Sequence, residues 1–201
     1  MPATSSTPIA IPPAIDAALD QILHWEGARS DDPGDKGGLT VWGVSERWAR
    51  DIHLDLNLDG ATTRADVDLV TPAIAKMLFY NAFLVDPRIN RLPEAIQPAM
   101  LQFAVNCGAA RAVIELQHVL NSRRGIRLVA DGVIGPATIT GAQQQDEIMG
   151  DDLIRAILNA QLGWYDEIVH CHPDLVKFLR GWRNRANAFR PPVHSDTGPK
   201  A

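Results

Sequence analysis

Between Trp25 and Ser45 the chain reads WEGARSDDPGDKGGLTVWGVS. One glutamate, Glu26, is followed by Asp31, Asp32 and Asp35, by Gly34, Gly37 and Gly38, and by Thr40. Two carboxyl groups of unequal solvation can divide acid and base work. The poorly hydrated one stays protonated and gives its proton to a leaving oxygen; the hydrated one stays ionised and activates water. Breaking a glycosidic bond needs such a pair on opposite sides of the bond. Glu26 suits the acid, because it falls at the edge of an apolar helix face, where poor solvation lifts a carboxyl above its usual value of about 4.3. Asp35, in a polar loop bounded by glycines, suits the base that activates water, and the Thr40 hydroxyl can help to hold that water. The glycines let the backbone turn tightly and approach a bulky ligand. By spacing alone, the same residues also read as a solvated helix-end acid with turn-forming aspartates.

The element that must deliver Glu26 is a helix from about Ala14 to about Gly27. Ile15, Leu19 and Ile22 are spaced by four and three residues and share a face, and Glu26 follows Ile22 by four. Gly27 is a fitting stop. Further helices are expected over about Ser45–Asp51, from the Thr71-Pro72 start with Ile74, Met77, Leu78 and Phe79, and over about Glu94–Val105 and Ala110–Ser122. A short one opens at Pro136, and the last two cover about Asp151–Val169 and Asp174–Phe189. The segment Asp55–Asp68 reads as a loop. Near nine helices with little period-2 alternation make the fold class mostly α.

The length, 201 residues, suits one core with a small appended lobe. A net charge of −5 gives no global attraction to nucleic acid or to an anionic polymer, so such affinity needs a local basic patch. Two patches are candidates: Lys177, Arg180, Arg183, Arg185 and Arg190 near the end, and Arg123, Arg124 and Arg127. Each also reads as an ordinary solvated surface. The run DLNLDGATTRAD lacks the full ligand spacing and closing glutamate of a calcium loop. The six histidines show no zinc pattern. No metal and no cofactor is expected. Cys107 and Cys171 read as two buried thiols, with a bridge conceivable only if the fold brings them together. No Lys or Arg precedes Arg29, so no secretory signal is expected, and no apolar run is long enough to span a bilayer.

The pattern EG-x-x-x-x-DP-x-D-x-GG-x-T-x-x-G resembles the opening signature of glycoside hydrolase family 108, the lysozyme-like N-acetylmuramidases. Glu26, Gly27, Asp32, Pro33, Asp35, Gly37, Gly38, Thr40 and Gly43 carry the match. Ala28-Arg29, Lys36 and Val44-Ser45 depart from it. The resemblance implies that Glu26 is the catalytic acid, with supporting roles for Asp35 and Thr40. Tyr80 and Phe83 resemble the family's aromatic pair before the turn at Pro87, and FAVNCG, Phe103 to Gly108, resembles its AAVNSG element. DGVIGPAT, Asp131 to Thr138, is similar to a motif of the peptidoglycan-binding region that follows, although it also reads as a simple turn before a helix. GWRNRA, Gly181 to Ala186, resembles the closing helix. Together the likeness spans about residues 15–190. Sugar rings stack on aromatic faces, so Trp42 and Tyr80 are candidate substrate contacts, with core packing the commoner fate. Asn106 is a third candidate, for a sugar amide, or simply a helix cap.

The expected organisation is a flexible segment at 1–12, a lysozyme-like catalytic region at 13–108, a helical peptidoglycan-binding region at 109–190 and a flexible tail at 191–201. The expected activity is that of an endolysin-type N-acetylmuramidase cleaving the β-1,4 bond between N-acetylmuramic acid and N-acetylglucosamine. Asp35 and Thr40 would direct water to the face opposite Glu26, giving inversion with carboxyls roughly 6.5–9.5 Å apart. The partner is bacterial peptidoglycan, with no nucleic acid, an outer-membrane contact through the basic C-terminal helix, and a monomeric chain. The site of action would be the periplasm or cell wall, reached from the cytoplasm with a holin's help or by injection. A lytic transglycosylase and a non-catalytic wall-binding or phage structural protein are the alternatives.

Overall fold

The structure, a computed structural model, describes residues 10–31 and 38–192. Most of the expected flexible ends therefore lie outside the described residues. The fold is mostly α and lysozyme-like, with nine α-helices and one three-stranded antiparallel sheet among the described residues. Contacts divide the chain into two units, residues 1–82 and 83–201.

In the first unit, α1 (Pro13–Glu26) buries Ile15, Ala18, Leu19, Ile22 and Leu23 on one face. It ends where Gly27 takes φ +79° and donates its N–H to the Leu23 carbonyl at 3.1 Å. After the sheet come α2 (Glu46–Asp51), capped by the Ser45 hydroxyl, and α3 (Arg64–Asp68). Helix α4 (Pro72–Tyr80) starts at the expected Thr71 cap and packs on α1. Lys76 of α4 lies 2.7 Å from both Asp16 and Asp20 of α1. Its inner face is Ala75, Phe79 and Tyr80, and Met77 is exposed.

Helix α3 occupies part of the segment expected to be a loop. Thr63 caps it, and Asp66 returns the contact by accepting the Thr63 N–H at 2.8 Å, a reciprocal cap. Asp66 is fully buried and also accepts the N–H groups of Leu56 and Asn57 at 2.9 and 3.2 Å. Asp55 accepts the N–H groups of Asp59 and Gly60, and Asp59 accepts that of Ala61. These acids close turns of the backbone. Among the described residues, no group of His, Cys, Asp and Glu is arranged to hold a metal ion.

The second unit is built on α5 (Gln97–Cys107), whose Ala99, Met100, Leu101, Phe103 and Ala104 are buried. It packs on α6 (Ala109–Asn121) and α8 (Asp151–Cys171). Helix α7 (Pro136–Met149) and α9 (Val176–Asn187) complete the layer around α8. Single 3-10 turns, Glu94–Ile96 and Pro173–Leu175, occupy the expected first turns of α5 and α9. Gly108, at φ +84°, both ends α5 and starts α6. By contacts α5 therefore groups with the helices after it.

The DGVIGPAT element is braced from α6. The buried Gln117 donates to the Asp131 carboxylate at 2.9 Å and to the Val133 carbonyl at 3.1 Å, and accepts the Gly132 N–H at 3.0 Å. Asp131 in turn accepts the Val133 N–H. Its structural reading is met by these contacts. The two thiols are free; Cys107 is half-buried and Cys171 exposed, which corrects the reading of both as buried. No described helix is long and apolar enough to cross a membrane.

Candidate active site

Glu26 is the last residue of α1, and the chain leaves it through Gly27 into a small sheet. Strand β1 (Arg29–Ser30) pairs antiparallel with β2 (Thr40–Val41), Ser30 opposite Thr40. Strand β2 pairs with β3 (Val44–Ser45), Thr40 opposite Ser45. Two residues join β2 to β3: Trp42 at φ +49° and Gly43 at φ +78°. Two consecutive positive φ angles are what a tight hairpin turn with the right twist requires. Glycine adopts that conformation freely, whereas for a tryptophan it costs about 1–2 kcal/mol. The Trp42 N–H is held by the Ala28 carbonyl at 3.1 Å, tying the hairpin to the exit from α1.

The hairpin tip sits against the acid. A methyl group added at Gly43 would stand 2.8 Å from the Phe79 ring and 3.2 Å from the Glu26 Cγ. Only glycine lets the turn come this close, so Gly43 fixes where the Glu26 stem lies. Phe79 is buried and meets Trp48 edge-on, with ring centroids 5.3 Å apart. Behind the hairpin, Leu39, Val41 and Val44 are buried. Thr40, in the central strand, and Trp42, at the tip, are both half-buried.

Glu26 itself is exposed. The poor solvation expected of it is thus not a property of the helix end alone. It sits in register with the buried Ile22 and Leu23, with its stem against the Gly43 turn. Tyr80 is 7% exposed, so the ring expected to stack on a sugar is a core ring. Asp35 lies outside the described residues, as do Asp32, Pro33, Gly34, Lys36 and Gly37. Asn106 is part of the second unit, where its amide donates to the Gln102 carbonyl at 2.8 Å.

Both flanks of residues 32–37 are anchored by groups that the motif does not contain. Asp31 forms a two-pronged pair with Arg64, and this guanidinium holds the Asp31 carboxyl below the usual carboxylate range. On the other flank, Glu46 accepts the Leu39 N–H at 3.1 Å, and its carboxyl fills the space where a Gly38 side chain would be. Glu46 also binds Arg50 at 2.8 Å and lies 3.7 Å from Arg64. Sequence reasoning had no signal for this set, because Arg64 is 33 residues from Asp31.

The family models divide the chain in the same order. Residues 19–108 match the model for glycosyl hydrolase 108, and residues 111–187 match the model named predicted peptidoglycan domain. A solved structure, that of Brucella abortus SagA, is similar to this chain with a TM-score of 0.62 and 24% identity, over 89% of this chain and 97% of that one. That likeness speaks for the fold. No curated protein sequence matches. Glu26, Thr40, Trp42, Gly43 and the glycine-rich stretch all fall within the first matched region; residues 19–108 are accordingly a glycosyl hydrolase 108 domain and residues 111–187 a peptidoglycan domain, the pair that supports a peptidoglycan hydrolase.

Proposed function

We propose that the protein is an N-acetylmuramidase in which Glu26 protonates the oxygen of the β-1,4 bond between N-acetylmuramic acid and N-acetylglucosamine. The observation that carries this reading is the packing of the Gly43 turn against the Glu26 stem, which sets an exposed carboxyl against the hairpin whose strands and tip carry Thr40 and Trp42. An exposed acid is reachable by a polymer. The glycan, once bound, excludes the water around it and so supplies the desolvation that the helix end lacks. Asp35 is the base in this scheme, ionised and set to draw a proton from water as that water attacks the anomeric carbon. Thr40 directs the water from the central strand, and Trp42 offers a ring to the sugar.

Glu26→Gln keeps the shape of the side chain and removes the proton donor. Release of reducing ends from purified peptidoglycan is expected to fall by about 10²–10⁴-fold, the usual worth of a positioned general acid. Retained activity would move the acid role to another residue. The lytic transglycosylase alternative leaves an anhydro end in place of a reducing one, so the product distinguishes the two. The endolysin role, with release by a holin, rests on the resemblance, and the outer-membrane contact on the basic residues of the C-terminal helix. A lysis assay in cells with and without a co-expressed holin tests the former.

A further inference from the structure

Within the second unit, Asn106 and Cys107 of α5, Trp164, Tyr165 and Ile168 of α8, and Trp182 and Arg185 of α9 line a cavity of about 360 Å³. That is at the lower end for small-ligand sites, so it admits one unit of a polymer rather than a strand. Its walls are aromatic. Trp182 lies 5.4 Å from Tyr165 and is stacked on Phe178 at 6.2 Å. Trp164 carries the Arg111 guanidinium 3.8 Å from its ring centre, and Arg111 is itself paired with Glu115 at 3.0 Å.

Arg185 is the unusual member. It has no carboxylate partner among the described residues, and its Nε is buried without a hydrogen bond. Its neighbours do not neutralise it. Burial pushes the Cys107 thiol up to about 11 and pushes the Tyr165 hydroxyl up as well, so both are uncharged at neutral pH. A half-buried cation with an unmet donor, among aromatic rings, suits an anion carried on a ring-shaped body. Asn106 adds an amide whose nitrogen already serves Gln102, leaving its oxygen to accept a hydrogen bond.

We infer that this cavity binds a single N-acetylated sugar bearing a carboxylate: the sugar against the tryptophans, the acetamide N–H on Asn106, and the carboxylate on Arg185. Peptidoglycan supplies this chemistry from two sources, the lactyl group of a bare muramic acid or a carboxylate of its stem peptide. The site lies mostly within residues 111–187, the region matched as a peptidoglycan domain. The inference rests on peptidoglycan as the polymer and does not require Glu26 to be the acid.

The test uses the full chain carrying Glu26→Gln; the two single sugars have no glycosidic bond to cleave, so their results stand whatever the acid proves to be. N-acetylglucosamine, N-acetylmuramic acid and a disaccharide-tetrapeptide are each titrated, by calorimetry and by following the indole N–H signals in NMR. At least one acidic probe should bind about tenfold or more tightly than N-acetylglucosamine, as a charge-assisted contact implies, and should shift the Trp164 and Trp182 signals. Binding by N-acetylmuramic acid identifies the lactyl source; binding by the disaccharide-tetrapeptide alone identifies the stem peptide. Arg185→Leu should erase the preference for acid, and Arg185→Lys should restore part of it, which a purely structural arginine would not show. Equal affinity for neutral and acidic probes, or indole signals that stay still, would overturn the inference.

Discussion

The residue on which the site turns is Gly43 as much as Glu26. Its position combines a left-handed backbone with contact on two sides, the Phe79 ring and the Glu26 stem. Gly43→Ala therefore meets both a conformational penalty and an overlap, and should destabilise the fold by about 1–3 kcal/mol. It should also lower the rate of wall cleavage by shifting the acid. Urea unfolding beside a reducing-end assay checks both; a stable variant with full activity would show that the hairpin tip does not position Glu26. Glu26 itself was legible from its spacing after Ile22, but its exposure was not. Periodicity tells which face of a helix a residue occupies, not how far the neighbouring elements extend over it. The same limit applies to Tyr80, a residue of the inner face of α4 whose burial depends on partners distant in sequence.

At the scale of elements, the long helices were readable because apolar spacing accumulates over several turns and because Gly27, Thr71-Pro72 and Pro136 mark their ends. The sheet was not, since strands of two residues are too short to show alternation. Helix α3 is five residues long and also hidden from periodicity, although Thr63 and Asp66 already stood at capping distance. Asp66 gives this region a pH dependence. Hydrogen bonds from the Thr63 backbone, and then from Asn57 and Leu56, hold its carboxyl below the usual range, against the effect of burial. A group with a lowered folded pKa stabilises the protein above its unfolded value, near 3.9, and loses that contribution as pH falls through the folded one. Asp66→Asn should thus melt at a lower temperature than wild type at pH 7, and the gap should close as the pH drops from about 5 toward 3. A gap that is constant across this range would show that the charge of Asp66 does not matter.

For the whole molecule, charge must act locally, because the chain carries −5 overall. The basic groups are concentrated in the second unit. Of those on and after α9, Arg183 is engaged with Asp166, and Arg190 with Asn159 and Asn187. Arg123, Arg124 and Arg127 instead line an open concavity of about 580 Å³. Attachment to wall suspensions at low salt should fall several-fold when these three are changed together to glutamine. Its decline with added NaCl should flatten as well, since exposed charges are screened within about 10 Å at 0.1 M salt. Identical salt curves for variant and wild type would assign attachment elsewhere. The central claim, hydrolysis with Glu26 as the proton donor, is tested most directly by mass spectrometry of purified peptidoglycan digested by wild type and by Glu26→Gln. The account predicts fragments ending in reducing N-acetylmuramic acid from the wild type and almost none from the variant. Anhydro ends, or reducing ends produced equally by both proteins, would contradict it.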